Sequence, residues 1–283
     1  MKNLLTAIGA ISESNIELLS DRTRDRQVPV YRDRASRVIF IDNFYVGDEE
    51  YEEASYREPD LPIEDYLDTQ RRYSGLKPLF HGKTIVDFGC GKGSFLKLAS
   101  AEATTAFGIE LDPAAKDLEQ FSSVTVFDSI DRVPRETVDT VFAFHVLEHL
   151  PKPLEALGEI RDVLKNPSGR LVIEVPHARD FLLDQVDLPA FRSFSLWSQH
   201  LVLHTRESLR LLLAEAGFAL DTIVGIQRYG LGNHLHWLAT GKPGGHKEPS
   251  MAPMQDPQIN SAYTSALQAM DANDTLLAVA RLL

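Results

Sequence analysis

VDFGCGKGSFL, residues 86–96, is the stretch on which the reading of the fold turns. An apolar run ends in an acid, Asp87, then Gly89, Gly91 and Gly93 alternate, and a helical pattern opens at Ser94. The run TIVDFG (84–89) is apolar enough to be a strand buried on both faces. Glycines allow the tight turn and let the backbone come close to a ligand, and the helix start presents unpaired N–H groups. A Gly-x-Gly-x-x-Gly loop in this position takes a pyrophosphate. Here the spacing is Asp87-x-Gly-x-Gly-x-Gly, and an acid just ahead of the glycines would repel that group. A cationic or hydrogen-bond-donating ligand suits it better.

The chain beyond continues the alternation. AFGIEL (106–111) reads as a strand and 113–121 as a helix opened by Pro113. Residues 124–127 and 138–144 read as strands, the latter ending at His145. A helix over 153–165 is stopped by Asn166, Pro167, Ser168 and Gly169, and RLVIEV (170–175) is the next strand. Short β-rich runs alternating with helices predict a parallel sheet covered on both faces. Glu110 closes the second strand, where a carboxylate can accept both hydroxyls of a ribose. Asp128 ends the third, placed either to accept from an adenine amino group or to cap the turn behind it. Three acids at the carboxyl ends of successive strands converge on one crevice.

These residues, in this order over about 77–175, together with HVLEHL (145–150), resemble the class I S-adenosylmethionine (SAM)-dependent methyltransferases. The resemblance implies an α/β, Rossmann-like, seven-stranded and mainly parallel sheet with helices on both faces, completed by an antiparallel strand at 275–282. It implies SAM as cofactor, whose sulfonium and ammonium answer the acid of the loop. It places Asp87, Gly89, Gly91 and Gly93 beside the methionine and ribose, Glu110 and Leu111 at the ribose, and Asp128 and Ser129 at the adenine. A narrower likeness runs through EVPHARDFLL (174–183), 200–218 and 227–248 to methyltransferases found with bacterial polysaccharide and sugar biosynthesis enzymes. It implies a small-molecule acceptor, a nucleotide sugar or glycan, methylated on a hydroxyl. The cysteine zinc module of some sugar methyltransferases is absent from this sequence. A nucleic-acid or protein methyltransferase and a non-catalytic SAM-binding module are the alternatives.

An oxygen nucleophile must lose a proton, and a positioned base contributes roughly 10²–10⁴-fold. Histidine suits that task near neutral pH. His200 and His177 are the candidate bases, and His145 is expected beside the cofactor. His234, His236 and Trp237 either pack one helix face or line a substrate. Lys242 and His246 either meet an anionic group or sit in a solvated turn.

Composition narrows the rest. A net charge of −12 over 283 residues argues against a broad phosphate-binding face, so no nucleic-acid partner is expected. The one cysteine, Cys90, allows neither an internal disulfide nor a multi-thiolate zinc site, which fits a reducing cytoplasm. No compact metal-ligand spacing is evident, so no metal is expected. No run approaches a membrane span, and residues 1–20, with Glu13 and Glu17, do not read as a secretory leader. Three regions are expected. Residues 1–79 form a helical and hairpin extension that acts as a lid, 80–176 the SAM-binding core, and 177–283 complete the sheet and add a substrate-pocket insertion. A homodimer is compatible with this reading. In the extension, an amphipathic helix is expected to run from Leu4 towards Leu19, followed by a hairpin over 28–41 and a helix over 62–76.

Overall fold

The computed structural model describes residues 1–49, 63–121 and 123–283. Most of the acidic, tyrosine-bearing run 48–56, expected to be a solvated face, lies outside them. In chain order the elements begin with α1 (Lys2–Ala7), β1 (Ile16–Ser20), β2 (Val30–Asp33), β3 (Ile39–Ile41) and α2 (Ile63–Phe80). The central elements are β4 (Thr84–Phe88), α3 (Ser94–Ser100), β5 (Thr105–Ile109), β6 (Val124–Phe127), β7 (Thr140–Phe144), α4 (Pro153–Val163) and β8 (Arg170–Pro176). The last are α5 (Pro189–Ser195), β9 (Val202–Leu203), α6 (Arg206–Glu215), β10 (Phe218–Ile226), α7 (Leu231–Thr240), α8 (Pro257–Ala269) and β11 (Thr275–Leu282).

Seven strands form one sheet in the order β10-β11-β8-β7-β4-β5-β6. The pairs β4·β5, β4·β7, β5·β6 and β7·β8 are parallel, as the buried β-rich runs predict. The strand expected at 275–282 is β11, between β8 and β10. The chain divides into two compact units. One comprises residues 46–174, 212–222 and 278–283, the other 1–45, 175–211 and 223–277.

In the first unit Phe95 of α3 meets Phe142 and Phe144 edge-on, each at 5.0 Å, and Phe80 at 5.9 Å. Such edge-to-face packing of large rings fixes the helix against the sheet as well as removing apolar surface from water. At the end of α2, Lys77 Nζ donates to Glu102 Oε1 (2.9 Å), and Tyr73 donates to the same oxygen. The expected helix over 113–121 forms as a 3-10 helix, Pro113–Gln120, capped by the Asp112 carboxylate accepting from Ala114 N–H.

The second unit holds an antiparallel sheet, β1-β2-β3-β9. The hairpin of β2 and β3 lies where the sequence predicts it, and Asp33 organises its turn by accepting from the N–H groups of Ala35 and Ser36 (2.8 Å each). The long N-terminal helix does not form. α1 stops at Ala7, Gly9 follows with φ +74°, and Ile16, Leu18 and Leu19 belong to β1, paired with β2. Leu5, Ile11, Val38, Phe40 and Val202 bury one face of this sheet, and Val30, Ile39, Ile41 and Leu203 the other. α8 starts at Pro257 with Asp256 accepting from Gln258 and Ile259 N–H, a proline-plus-aspartate N-terminus.

Candidate functional site

The strand order puts the ends of β4, β5 and β7 side by side. Asp87 pairs in register with Gly108 and with Phe142, so Asp87, Glu110 and His145 all stand at the carboxyl rim. The loop after β4 turns through three left-handed glycines, with φ of +72° at Gly89, +51° at Gly91 and +67° at Gly93. A Cβ on Gly89 would lie 2.5 Å from Val146 Cγ2, whereas one on Gly91 would meet nothing within 4 Å. Gly91 thus faces open space. A cleft of about 260 Å³ lies against it, lined also by Glu110, Lys92, Lys97, Asp112 and Leu118.

Glu110 and the loop hold each other. Its Oε2 accepts from Gly91 N–H (2.8 Å), and Oε1 from Leu111 N–H (2.9 Å) and Asp112 N–H (3.2 Å). Oε1 has both lone pairs engaged and Oε2 has one to spare. In this conformation the carboxylate can take one ribose hydroxyl, and the second requires an amide to let go. Leu111 is 41% exposed. Asp87 is buried, and burial pushes its carboxyl up to about 7, with Arg72 drawing it down and Glu110 adding to the rise. Asp128 is exposed and paired with Arg132 (3.1 Å), and Ser129 opens a short 3-10 turn without capping it through its side chain.

His145 has φ +57°, an uncommon backbone for a residue with a side chain. Its N–H donates to Glu174 O, and its Nδ1 lies 3.2 Å from Oε1 of the fully buried Glu148. In the other unit His177 is buried, with Nδ1 on the backbone carbonyl of Asn273 (2.9 Å), and burial pushes the imidazole down to about 4. It is closed to a substrate in this structure. His200 follows Trp197, whose ring it meets edge-on at 5.2 Å. His204, also buried, meets Ser208 Oγ at 3.0 Å.

One group escaped the sequence reading. Glu174 of β8 is fully buried and held by two arginines of α2. Arg71 reaches Oε1 (2.8 Å) and Oε2 (3.0 Å), and Arg72 meets Oε2 through Nε (2.9 Å) and Nη2 (2.7 Å). Arg72 also stacks over Phe144 at 4.4 Å. These charges hold Glu174 below the usual carboxylate range against the opposing effect of burial. The signal was an acid inside the apolar run RLVIEV, since a carboxylate in a buried strand needs a cationic partner.

A family model described as a methyltransferase domain matches residues 61–223. A crystal structure of a SAM-dependent methyltransferase from Archaeoglobus fulgidus superposes with a TM-score of 0.51 at 23% identity, covering 76% of this chain and 93% of that one. Among curated proteins, an uncharacterized 37.1 kDa protein of a Streptomyces fradiae transposon is 32% identical over 160 residues, 51% of this chain and 46% of that protein. A tRNA U34 carboxymethyltransferase from Chromohalobacter salexigens is 35% identical over 120 residues, 37% of this chain and 35% of that enzyme. The chain therefore spans less than half the length of these curated relatives. Matched over more than half of its length, the chain belongs to the methyltransferase domain family, and its central region is a class I, SAM-dependent methyltransferase domain.

Proposed function

We propose that this protein transfers the methyl group of SAM to a hydroxyl of a small, sugar-like acceptor. The observation that carries the cofactor side is the open Gly91, bonded to Glu110, on the loop that follows the buried acid Asp87 at the end of β4. The donor set fits SAM: the carboxylate of Asp87 answers a cation, Gly91 leaves room for close approach, and Glu110 keeps a lone pair for a ribose hydroxyl. Gly89 and Gly93 shape the loop, Leu111 offers apolar surface, and Asp128 with Ser129 takes the adenine end. When bound, SAM supplies an electrophilic methyl on a sulfonium, whose departure as a thioether needs no acid.

The chain then has to orient the acceptor oxygen and remove its proton. Orientation of two reactants is worth the larger share of such a rate enhancement. For the proton we favour His145. Its Nδ1 lies 3.2 Å from Oε1 of buried Glu148, and a carboxylate so placed orients the imidazole. His200 is the second candidate base, while the burial of His177 argues against it. The tRNA U34 carboxymethyltransferase named above matches only 37% of this chain, over 120 residues, and the net charge of −12 speaks against an RNA-binding face. A sugar hydroxyl therefore fits better than a nucleotide base, and the likeness of the C-terminal segments to sugar methyltransferases supports it.

The test is transfer of labelled methyl from SAM to a panel of nucleotide sugars and to bulk tRNA, with wild type and His145→Ala. Label on a sugar nucleotide, lost about 10²-fold or more in H145A, is the expected result. Label on tRNA alone would replace the acceptor class, and full activity of H145A would remove the base.

A further inference from the structure

The grip on Glu174 engages only part of the Arg72 guanidinium. A guanidinium carries its N–H bonds in one plane, one on Nε and two on each Nη. Arg72 donates the one on Nε (2.9 Å) and one from Nη2 (2.7 Å), both to Oε2 of Glu174. The outer edge, Nη1 with the second hydrogen of Nη2, takes no part in either bond. Among the described residues no acceptor meets Nη1. Arg71 differs. Its Nε and Nη2 are on Asp68 (3.3 and 3.1 Å), and its Nη1 and Nη2 are on Glu174 (2.8 and 3.0 Å), so both of its edges are filled. Of the two neighbouring arginines, one is used up in the ion pair and the other keeps an edge to offer.

That edge stands at the rim where the glycine loop begins. Arg72 lies over the Phe144 ring, 4.4 Å from its centroid, and Phe144 pairs in register with Glu174 of β8. On its other side β7 pairs with β4, Phe142 with Asp87. Two residues further along, β4 has reached Gly89 and β7 has reached Phe144. The ring holds the guanidinium by its face and Glu174 holds it by one edge, so little freedom is left to lose when a ligand takes the other edge. The charges of Asp68, Arg71, Arg72 and Glu174 cancel, so the open edge acts at contact distance rather than as a long-range field. Arg72 is nonetheless near enough to Asp87 to draw that carboxyl down. The loop thus starts between an acid and the donor edge of a cation. Two parallel N–H bonds match the two oxygens of a carboxylate, and an α-amino acid end carries both complements, an ammonium for Asp87 and a carboxylate for Arg72.

We propose that Arg72, held in place by Glu174 and Phe144, binds the carboxylate of the SAM methionine through its Nη1–Nη2 edge. This deepens the cofactor reading above and rests on it. The probes are S-adenosylhomocysteine and its decarboxylated analogue, an aminopropyl thioether of adenosine, titrated by calorimetry on the full chain. Both carry the ammonium that Asp87 answers, so the ratio of their Kd values reads the carboxylate alone. Wild type is expected to prefer S-adenosylhomocysteine about tenfold or more, the factor for one hydrogen bond to a charged group. Arg72→Met keeps an apolar stem on Phe144 and leaves Glu174 with Arg71. It is expected to bring the two affinities level by weakening S-adenosylhomocysteine alone, a selective loss that general damage to the fold would not give. A crystal structure of the wild-type complex should place a carboxylate oxygen within hydrogen-bond distance of Arg72 Nη1, whatever the stability of the variant. Equal affinities in wild type, an unchanged ratio in R72M or a carboxylate turned away from Nη1 would each overturn the proposal. Failure of wild type to bind either compound removes the SAM reading itself, whereas binding of both without preference removes only the role of Arg72.

Discussion

Asp87 sits where water cannot reach it, and a carboxyl in that position holds its proton. Burial is the main cause of its rise to about 7, with Arg72 opposing and Glu110 assisting. Because the folded value lies above the unfolded one, near 3.9, any stabilisation from this group is present at low pH and lost as pH rises through 7. Ligand binding runs the other way, since only the ionised form attracts an ammonium. The affinity for SAM should therefore weaken about tenfold per pH unit below 7, the slope of one proton, and Asp87→Asn should flatten the profile. Calorimetric titrations from about pH 5 to 8 read both, and a level wild-type profile would remove Asp87 from the site. Glu174 poses the opposite case, an acid whose charge is fully answered. Glu174→Gln takes from Arg72, 13% exposed, the carboxylate it is bonded to, while Arg71 keeps Asp68 at 3.1 Å. Breaking a buried pair from one side costs about 3–5 kcal/mol, so the urea midpoint should fall by that equivalent. A loss below about 1 kcal/mol would mean that water already screens the arginines.

The loop between β4 and α3 shows how neighbouring glycines do different work. A Cβ on Gly93 would come within 2.5 Å of Leu118 Cδ1, in the 3-10 segment packed against it. Gly93→Ala should destabilise the fold, and adding Leu118→Ala should recover the steric part, leaving about 1 kcal/mol for the left-handed backbone. Gly91→Val has no neighbour to strike. Its stability cost should stay at the backbone strain of about 1–2 kcal/mol, while SAM affinity disappears because the side chain occupies the open space. Thermal melts and calorimetry on the three variants separate the effects, and G91V binding SAM normally would move the cofactor elsewhere. The β4-to-β8 succession was legible because strands buried on both faces are continuous apolar runs, whatever they pair with. The N-terminal segment was not. Ile16, Leu18 and Leu19 continue a helical spacing that begins at Leu4, and only pairing with β2 makes them a strand. β9, two residues long, has no periodicity to read. Among candidate site residues, Asp87, the glycines and Glu110 share a local motif. The grip of Arg71 and Arg72 on Glu174 joins residues more than a hundred positions apart, so the acid in RLVIEV announces a cationic partner but nothing local says which residues supply it.

The whole molecule buries ionisable groups of both kinds, and their proton accounts oppose one another. Burial pushes His177, His204 and His234 down to about 4. Such a group stabilises the fold above its unfolded value near 6.5, and that stability is lost as pH falls towards 4. Burial also pushes Asp87 and Asp180 up to about 7 and Asp274 to about 6. These groups stabilise the fold below about 3.9, and that stability is lost as pH rises through 6 to 7. Between about pH 5 and 6 the three histidines bind protons on unfolding while the three aspartates release them, so net uptake lies near zero. With the histidines alone, stability would rise by about 4 kcal/mol per pH unit in this window, one increment of 1.36 kcal/mol for each. With both sets present, urea unfolding should give a free energy that changes by less than about 1 kcal/mol across it. A single substitution tips the balance: in His204→Leu, a shape change in the buried core that costs some stability overall, one opposing proton is gone. The free energy of that variant should then fall with rising pH by about 1 kcal/mol per unit relative to wild type. A steep slope in the wild-type protein would show that one set of these groups titrates in the folded chain as it does in water.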